Sequence, residues 1–173
     1  PVYIKFGHIV SIRPDLVGHE LAQQLRILKD KLPPFSVAKA KASFAEEIGI
    51  DPDQVFSEFS DAVAAASIAQ VHKARLLKTG AYVAVKVLRP KIEKAFRKDI
   101  DAFYLAARMV QLLSPASRRL RPVDVISHFE GVVMGELDLR LESSAASEFA
   151  ANTQGVDAGF QLPAVNWPLS GRR

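Results

Sequence analysis

Three alanines stand in a frame where a phosphate-cradling loop would place three glycines. Ala64, Ala66 and Ala69 fill A-x-A-x-x-A-x-V, closed by Val71, and fifteen residues after Val71 the run Val83-Ala84-Val85-Lys86 ends on a lysine. The matching nucleotide signature is G-x-G-x-x-G-x-V followed by V-A-I-K. Glycines in such a loop permit φ > 0 and close approach of backbone N–H groups to phosphate oxygens. Each alanine adds a Cβ and penalises left-handed conformations. The loop over residues 64–69 is therefore expected to be stiffer and less able to fold down over the β- and γ-phosphates. Its N–H groups and the Ser67 hydroxyl stay available to a phosphate. Without the frame, Ala62 to Ala66 would read as an ordinary small-residue turn.

Lys86 sits in a valine-rich run with strand periodicity, so it faces opposite to Val85 and Val87. If the valines pack against helices, its ammonium enters the space beneath the sheet, where an unpaired charge is costly. In protein kinases the partners are nucleotide phosphates and a helix carboxylate. A lone lysine more often lies on a solvated face; the alanine frame at the correct spacing reverses that reading. Glu136, Asp138 and Glu142 are candidate carboxylates on one long helical pattern. Asp138 and Glu142, four apart, share a face, and spacing alone does not choose among the three. Glu136–Arg140 would also make an ordinary i,i+4 surface pair.

The elements that must hold these groups follow from the pattern. Residues 3–13 are apolar and end at Arg13-Pro14-Asp15. A helix is expected from about Leu16 to Lys31, with Leu21, Leu25, Leu28 and Leu32 on one stripe, ending at Pro33-Pro34. Ser36 caps a second helix to about Ile48, closed by Gly49, and Asp51-Pro52 starts a short third. Strands are expected over 57–63, 69–77 and 81–88, with the alanine run as a loop. Long helices follow over about 91–113 and 122–152, the latter with Phe129, Val133, Leu137, Leu141 and Ala145 as a buried stripe. A strand-like segment spans Leu162 to Trp167. The class is α+β: an antiparallel sheet with long helices, preceded by a helical extension.

Composition sets bounds. The 173 residues are 49% hydrophobic and 24% charged, the balance of a globular protein. No cysteine is present, so disulfide frameworks and thiolate metal sites are excluded. A net charge of +4 suits a nucleotide or an anionic membrane surface and is too weak to argue for nucleic acid. No apolar run reaches the roughly 18 residues of a membrane span. His8, His19, His72 and His128 lack the spacing of a metal helix, so no metal site is read from them and a structural role is the better reading. Arg118, Arg119 and Arg121 form a basic cluster smaller than the roughly four to eight cations of a lipid-binding patch. The chain opens on Pro1 and stops at Ser170-Gly171-Arg172-Arg173, so it is expected to be a piece of a longer protein.

These motifs together resemble the UbiB family of atypical, protein-kinase-like proteins associated with ubiquinone biosynthesis. The resemblance rests on Ala64-Ala65-Ala66-Ser67-Ile68-Ala69-Gln70-Val71-His72, on Val83-Ala84-Val85-Lys86-Val87-Leu88-Arg89-Pro90, and on Glu136-Leu137-Asp138 followed by Glu142. It extends to Lys5-Phe6-Gly7-His8 before Arg13-Pro14-Asp15, where the family carries K-x-G-Q, so His8 replaces its glutamine. The resemblance implies a kinase-like small lobe over 57–173 behind a helical extension over 1–56. It implies that Glu142 partners Lys86 in catalysis, and that Ala64, Ala65, Ala66, Ser67, Ile68, Ala69, Val71, Ala84 and Lys86 meet ATP or ADP. Lys5, His8, Glu136 and Asp138 would be regulatory, Glu136 and Asp138 meeting the extension or metal and phosphates near the cleft. Mg²⁺ ligands, catalytic-loop residues and hydrophobic membrane segments are implied beyond residue 173. The implied setting is the cytoplasmic side of a bacterial inner membrane, with quinone-biosynthesis proteins as partners. A non-catalytic scaffold or lipid-binding module that keeps the fold is the alternative.

Overall fold

The computed structural model describes residues 2–11, 18–25, 32–155 and 159–173. Helix α1 (Val2–Ser11) takes up the apolar first segment, and α2 (His19–Leu25) is the described part of the expected leucine-striped helix. The rest of that helix, including Leu28, lies outside the described residues. Helix α3 (Val37–Ile48) ends on Gly49, whose φ of 75° is the left-handed geometry that glycine adopts without a Cβ penalty. Helix α4 (Pro52–Val55) starts on Asp51, whose carboxylate accepts from the backbone N–H of Asp53 at 3.0 Å.

Three antiparallel strands follow in the spatial order β1-β2-β3: β1 (Phe56–Ala65), β2 (Ala69–Leu76) and β3 (Tyr82–Leu88). The first strand runs further than the sequence predicts. Ala64 and Ala65 pair with Val71 and Gln70, so the connection shrinks to Ala66-Ser67-Ile68, closed by Ala66 N–H donating to the Ala69 carbonyl at 2.8 Å. Irregular register along β1 takes up the residues around Ser60 and Val63.

Helix α5 (Ile92–Leu113) and α6 (Pro122–Gly135) lie side by side, joined by a 3₁₀ turn over Pro115–Leu120. Ile92, Phe96 and Ile100 recur every four residues on α5 and bury against Phe129, Val133 and Leu137, with Leu88 at the end of β3. Phe6 of α1 joins this core edge-on to Phe129, ring centres 5.2 Å apart. A second core lies on the other side of the sheet, where Phe44 of α3 meets Phe56, Ala74, Val83 and Val85.

The expected helix over 122–152 is two helices, and this corrects the sequence reading. Helix α6 stops at Gly135 and α7 (Leu139–Asn152) restarts after Glu136-Leu137-Asp138. Gly135 weakens helix propagation, and the Asp138 carboxylate accepts from the Arg140 N–H at 3.1 Å, a cap that competes with continuing the helix. The break turns Leu137 fully inward and swings the next turn out. Leu141, placed on the buried stripe by periodicity, is 59% exposed, and Ala145 is exposed too. The segment expected as a strand over Leu162–Trp167 is unpaired coil leading into a 3₁₀ turn at Trp167–Leu169. Pro163 and Pro168 each lack the N–H that a ladder needs.

Truncating Phe96, which is 0% exposed, is expected to cost about 3–5 kcal/mol, whereas Leu141→Ala should stay within about 0.5 kcal/mol. Urea unfolding of the two variants checks this; equal losses would mean that the helix is continuous after all.

Candidate functional site

Strand alternation divides β2 and β3 into two faces. Val83, Val85 and Val87 turn toward α3 and the cores, while Tyr82, Ala84 and Lys86 are exposed on the opposite face. Register sets Val71 opposite Lys86 and Lys73 opposite Ala84, so Val71, Ala84 and Lys86 share one open face. The break before α7 brings Glu142, in the first turn of that helix, over this face. The Lys86 ammonium donates to both carboxylate oxygens of Glu142, at 2.7 and 2.5 Å. The side chains remain 38% and 61% exposed, so the pair is solvated on one side and contributes only about 0–1 kcal/mol to folding. Its value is positional: it fixes an ammonium at one point of the face.

A cleft of about 600 Å³ opens beside the pair. Strand β3, α3, α7 and the segment from Pro163 to Arg173 form its walls, with Ala84, Lys86, Glu142 and Glu47 among its lining. Another concavity, about 520 Å³ between α3 and α4, is lined by Ala38, Lys41, Ala45 and Asp53. It lies away from Lys86, and its Lys41 is tied to Asp53 at 2.5 Å, so the cleft at β3 is the better candidate. Burial alone would raise the Glu47 carboxyl. The Arg172 N–H at 2.6 Å and the Arg173 guanidinium at 3.0 Å outweigh it and hold the carboxyl below its usual value.

The other residues singled out in the sequence divide between the site and its supports. Ala64 and Ala65 belong to β1, Ala66 and Ile68 to the turn, and Ser67 is buried rather than presented to solvent. Ala69 is buried against Leu88. No residue from 64 to 69 has positive φ, so the turn is made in conformations that alanine tolerates. Lys5 of α1 pairs with Glu136 at 2.7 Å, so the carboxylate meets the extension and not Arg140. Arg140 instead binds Asp138 through Nε at 2.9 Å and Nη2 at 2.6 Å. Those bonds hold the Asp138 carboxyl below its ordinary value and raise Arg140. His8 lies on α1, its side chain outside the described residues. Among the described residues no group of three His, Cys, Asp or Glu could hold a metal.

Sequence reasoning passed over the rest of the open face. Lys73 places its ammonium 4.1 Å from the centre of the Tyr82 ring, and the Arg75 guanidinium lies 5.6 Å from it. Counting by twos from Val71 reaches both cations. Their meeting with Tyr82 depends on the β2–β3 register, which sequence periodicity does not supply. His72 is wholly buried on the covered face, in keeping with the structural reading of the histidines.

A family model for the ABC1 atypical kinase-like domain matches residues 27–173. The chain is 42% identical over 168 residues to the probable protein kinase UbiB of Pseudomonas aeruginosa, covering 96% of this chain and 31% of that protein. It is 39% identical over 170 residues to that of Pseudomonas putida, 98% of this chain and 31% of the relative. With that of Azotobacter vinelandii it shares 40% over 168 residues, 96% and 31%. The chain thus spans 31% of the length of these curated relatives.

Asp138 and Glu47 are both depressed, so the stability they contribute is present above their ordinary values of 3.8 and 4.5 and is lost as pH falls through the lower folded-state values. Asp138→Ala should lower stability by about 1 kcal/mol near neutrality, the size of a lost N-cap, and flatten the acid limb. Thermal melts from neutral to acid pH check the sign. An unchanged acid limb would show that the cap does not form.

Proposed function

The chain belongs to the ABC1 atypical kinase-like family, and from that premise we propose that it is the nucleotide-binding lobe of an atypical kinase or ATPase supporting ubiquinone biosynthesis. The observation that carries the reading is Lys86 held by Glu142 at the mouth of a cleft, on the same face as Val71 and Ala84. A fixed ammonium is suited to the α/β-phosphates of ATP or ADP, and a small alanine side chain leaves room for a flat base beside the strand. Lys73 adds positive charge to that face, whereas Arg75 is paired with Glu58 at 3.3 Å. Residues 64–69 would cover the nucleotide as a stiff hairpin end rather than a closing flap, which favours binding over rapid transfer to a protein hydroxyl.

Mg²⁺ would neutralise charge on the phosphates. The described residues fit the phosphates better than the metal, because Asp138 is already engaged by Arg140; we assign the metal ligands to the parent protein beyond residue 173. The scaffold reading keeps the same cleft without turnover. In the full-length parent, Lys86→Ala is expected to weaken Mg-ATP binding at least about tenfold or to abolish hydrolysis. Unchanged affinity and turnover would remove the nucleotide reading, and binding without hydrolysis in the unaltered parent would favour the scaffold.

A membrane-surface partner is favoured by one further observation. The joined ends of α5 and α6 expose Leu112, Leu113 and Leu120 at 73–74%. Residues 105–121 around them hold Arg108, Arg118, Arg119 and Arg121, the last paired with Asp124 at 2.5 Å. Apolar tips close in sequence to several arginines suit shallow insertion into an anionic bilayer. Co-sedimentation with anionic vesicles is expected for the chain and should be lost in Leu112→Asp/Leu113→Asp. Equal binding to zwitterionic vesicles, or none to either, would count against it.

A further inference from the structure

Arg89 stands just past β3, one residue before Pro90, and its guanidinium reaches two segments distant in sequence. Its Nε and Nη2 donate to the Ala66 carbonyl of the alanine turn at 3.1 and 2.9 Å. Its Nη1 donates to the Pro33 carbonyl at 3.0 Å, and its Nη2 also reaches the Leu32 carbonyl at 3.3 Å. The Arg89 backbone N–H donates to Ile68 O at 2.8 Å, so both ends of the three-residue turn are held by one residue. Residues 32–36, which lead into α3, form a strap against the covered side of the hairpin. The guanidinium carbon lies 5.8 Å from the Phe35 ring.

The same strap is held a second time, by Gln70. Its Oε1 accepts from the Phe35 N–H and its Nε2 donates to the Phe35 carbonyl, both at 3.0 Å. An amide that satisfies a backbone donor and acceptor together has one orientation. Nε2 also lies 2.8 Å from His72 Nε2, and because it only donates, His72 Nε2 must accept. His72 Nδ1 then carries the proton and donates to the Ser60 carbonyl at 2.8 Å. Gln70 and His72 are 1% and 0% exposed, so their side-chain groups are costly to leave unsatisfied.

These contacts go to main-chain atoms and so fix backbone, not side-chain identity. A planar trans peptide carries its C=O and N–H in opposite directions. With the Ala66 carbonyl drawn to Arg89, the Ser67 N–H is aimed away from it. The turn has no glycine and no positive φ to set its course by itself. Burial removes water from the Arg89 guanidinium and pushes it below its usual value.

We propose that Arg89 is a positioning residue that sets the peptide geometry of the alanine turn and, with Gln70, locks that turn to the strap at residues 32–36, so that the helical extension and the nucleotide loop move as one unit. The nucleotide part rests on the reading of residues 64–69 given above; the mechanical coupling does not. Coupling of this kind is reciprocal: a ligand that alters the turn loosens or tightens the strap, and displacement of the extension alters affinity at the turn.

The test uses the full-length protein with Arg89→Lys, Arg89→Gln and Gln70→Ala. Amide hydrogen exchange is followed at Leu32, Phe35 and Ser36 of the strap, Pro33 and Pro34 having no N–H, and over 64–69, beside Mg-ATP affinity. Arg89→Lys keeps the charge but loses the planar fork and should not rescue. All three variants are expected to speed exchange in both segments, and the Arg89 variants to shift nucleotide affinity by about tenfold. Gln70→Ala decides the coupling, because among the described residues the Gln70 side chain hydrogen-bonds Phe35 and His72 and not the turn, and the substitution leaves its backbone pairing with Ala65 in place: faster exchange at 32–36 with residues 64–69 unchanged would overturn it. Unchanged affinity in the Arg89 variants, with the parent still binding ATP, would remove the positioning role. If the parent binds no nucleotide, the nucleotide reading falls, and the exchange comparison still decides the coupling.

Discussion

The Lys86 ammonium stands on the open face of a sheet three strands wide, and its carboxylate partner comes from outside that sheet. Glu142 of α7 is that partner, bonding the ammonium through both carboxylate oxygens. That pairing depends on the helical architecture. Helix α6 is committed to the core through Phe129 and Val133, so its axis is set by packing. Only after the chain breaks at Glu136–Asp138 is the next helix free to present its first turn to β3. The ion pair itself adds little to folding, since both side chains are partly in water. The burial of Phe96, Ile100, Val133 and Leu137 is what holds α5 and α6 against the sheet and so keeps the pair in reach.

The three residues of the break do separate work. Glu136 faces back to Lys5, Leu137 plugs the core, and Asp138 caps α7 while gripping Arg140. The segment after Pro163 is tied into the same corner. The Arg172 carbonyl accepts from Leu139 N–H at 2.9 Å, and its guanidinium reaches Glu93 at 3.3 Å. One wall of the cleft thus depends on polar contacts made at the start of α7.

Most of the element order was legible because each element carries a local signal. Ser36 to Gly49 delimits α3, Asp51-Pro52 announces α4, and the valine alternation in 83–87 gives β3 and its faces. The lysine was legible from the alanine frame, and its carboxylate partner came from the family resemblance, since helix spacing left three candidates. The break at Glu136–Asp138 was hidden because Phe129, Val133 and Leu137 keep perfect four-residue spacing up to it, and a side-chain cap at Asp138 is decided by geometry rather than periodicity. The Arg89 and Gln70 contacts were illegible for another reason: they join main-chain carbonyls and amides 23 to 57 positions away, and main-chain atoms leave no mark in composition or pattern.

The 3₁₀ turn at Trp167–Leu169 has an optical corollary. Trp167 is the single tryptophan of the chain and is 49% exposed, between Asn166 and Leu169, which both line the cleft. The indole emission of this chain therefore arises from one locus, a turn whose neighbouring residues line the cleft. The wavelength of that emission reports how wet this turn is.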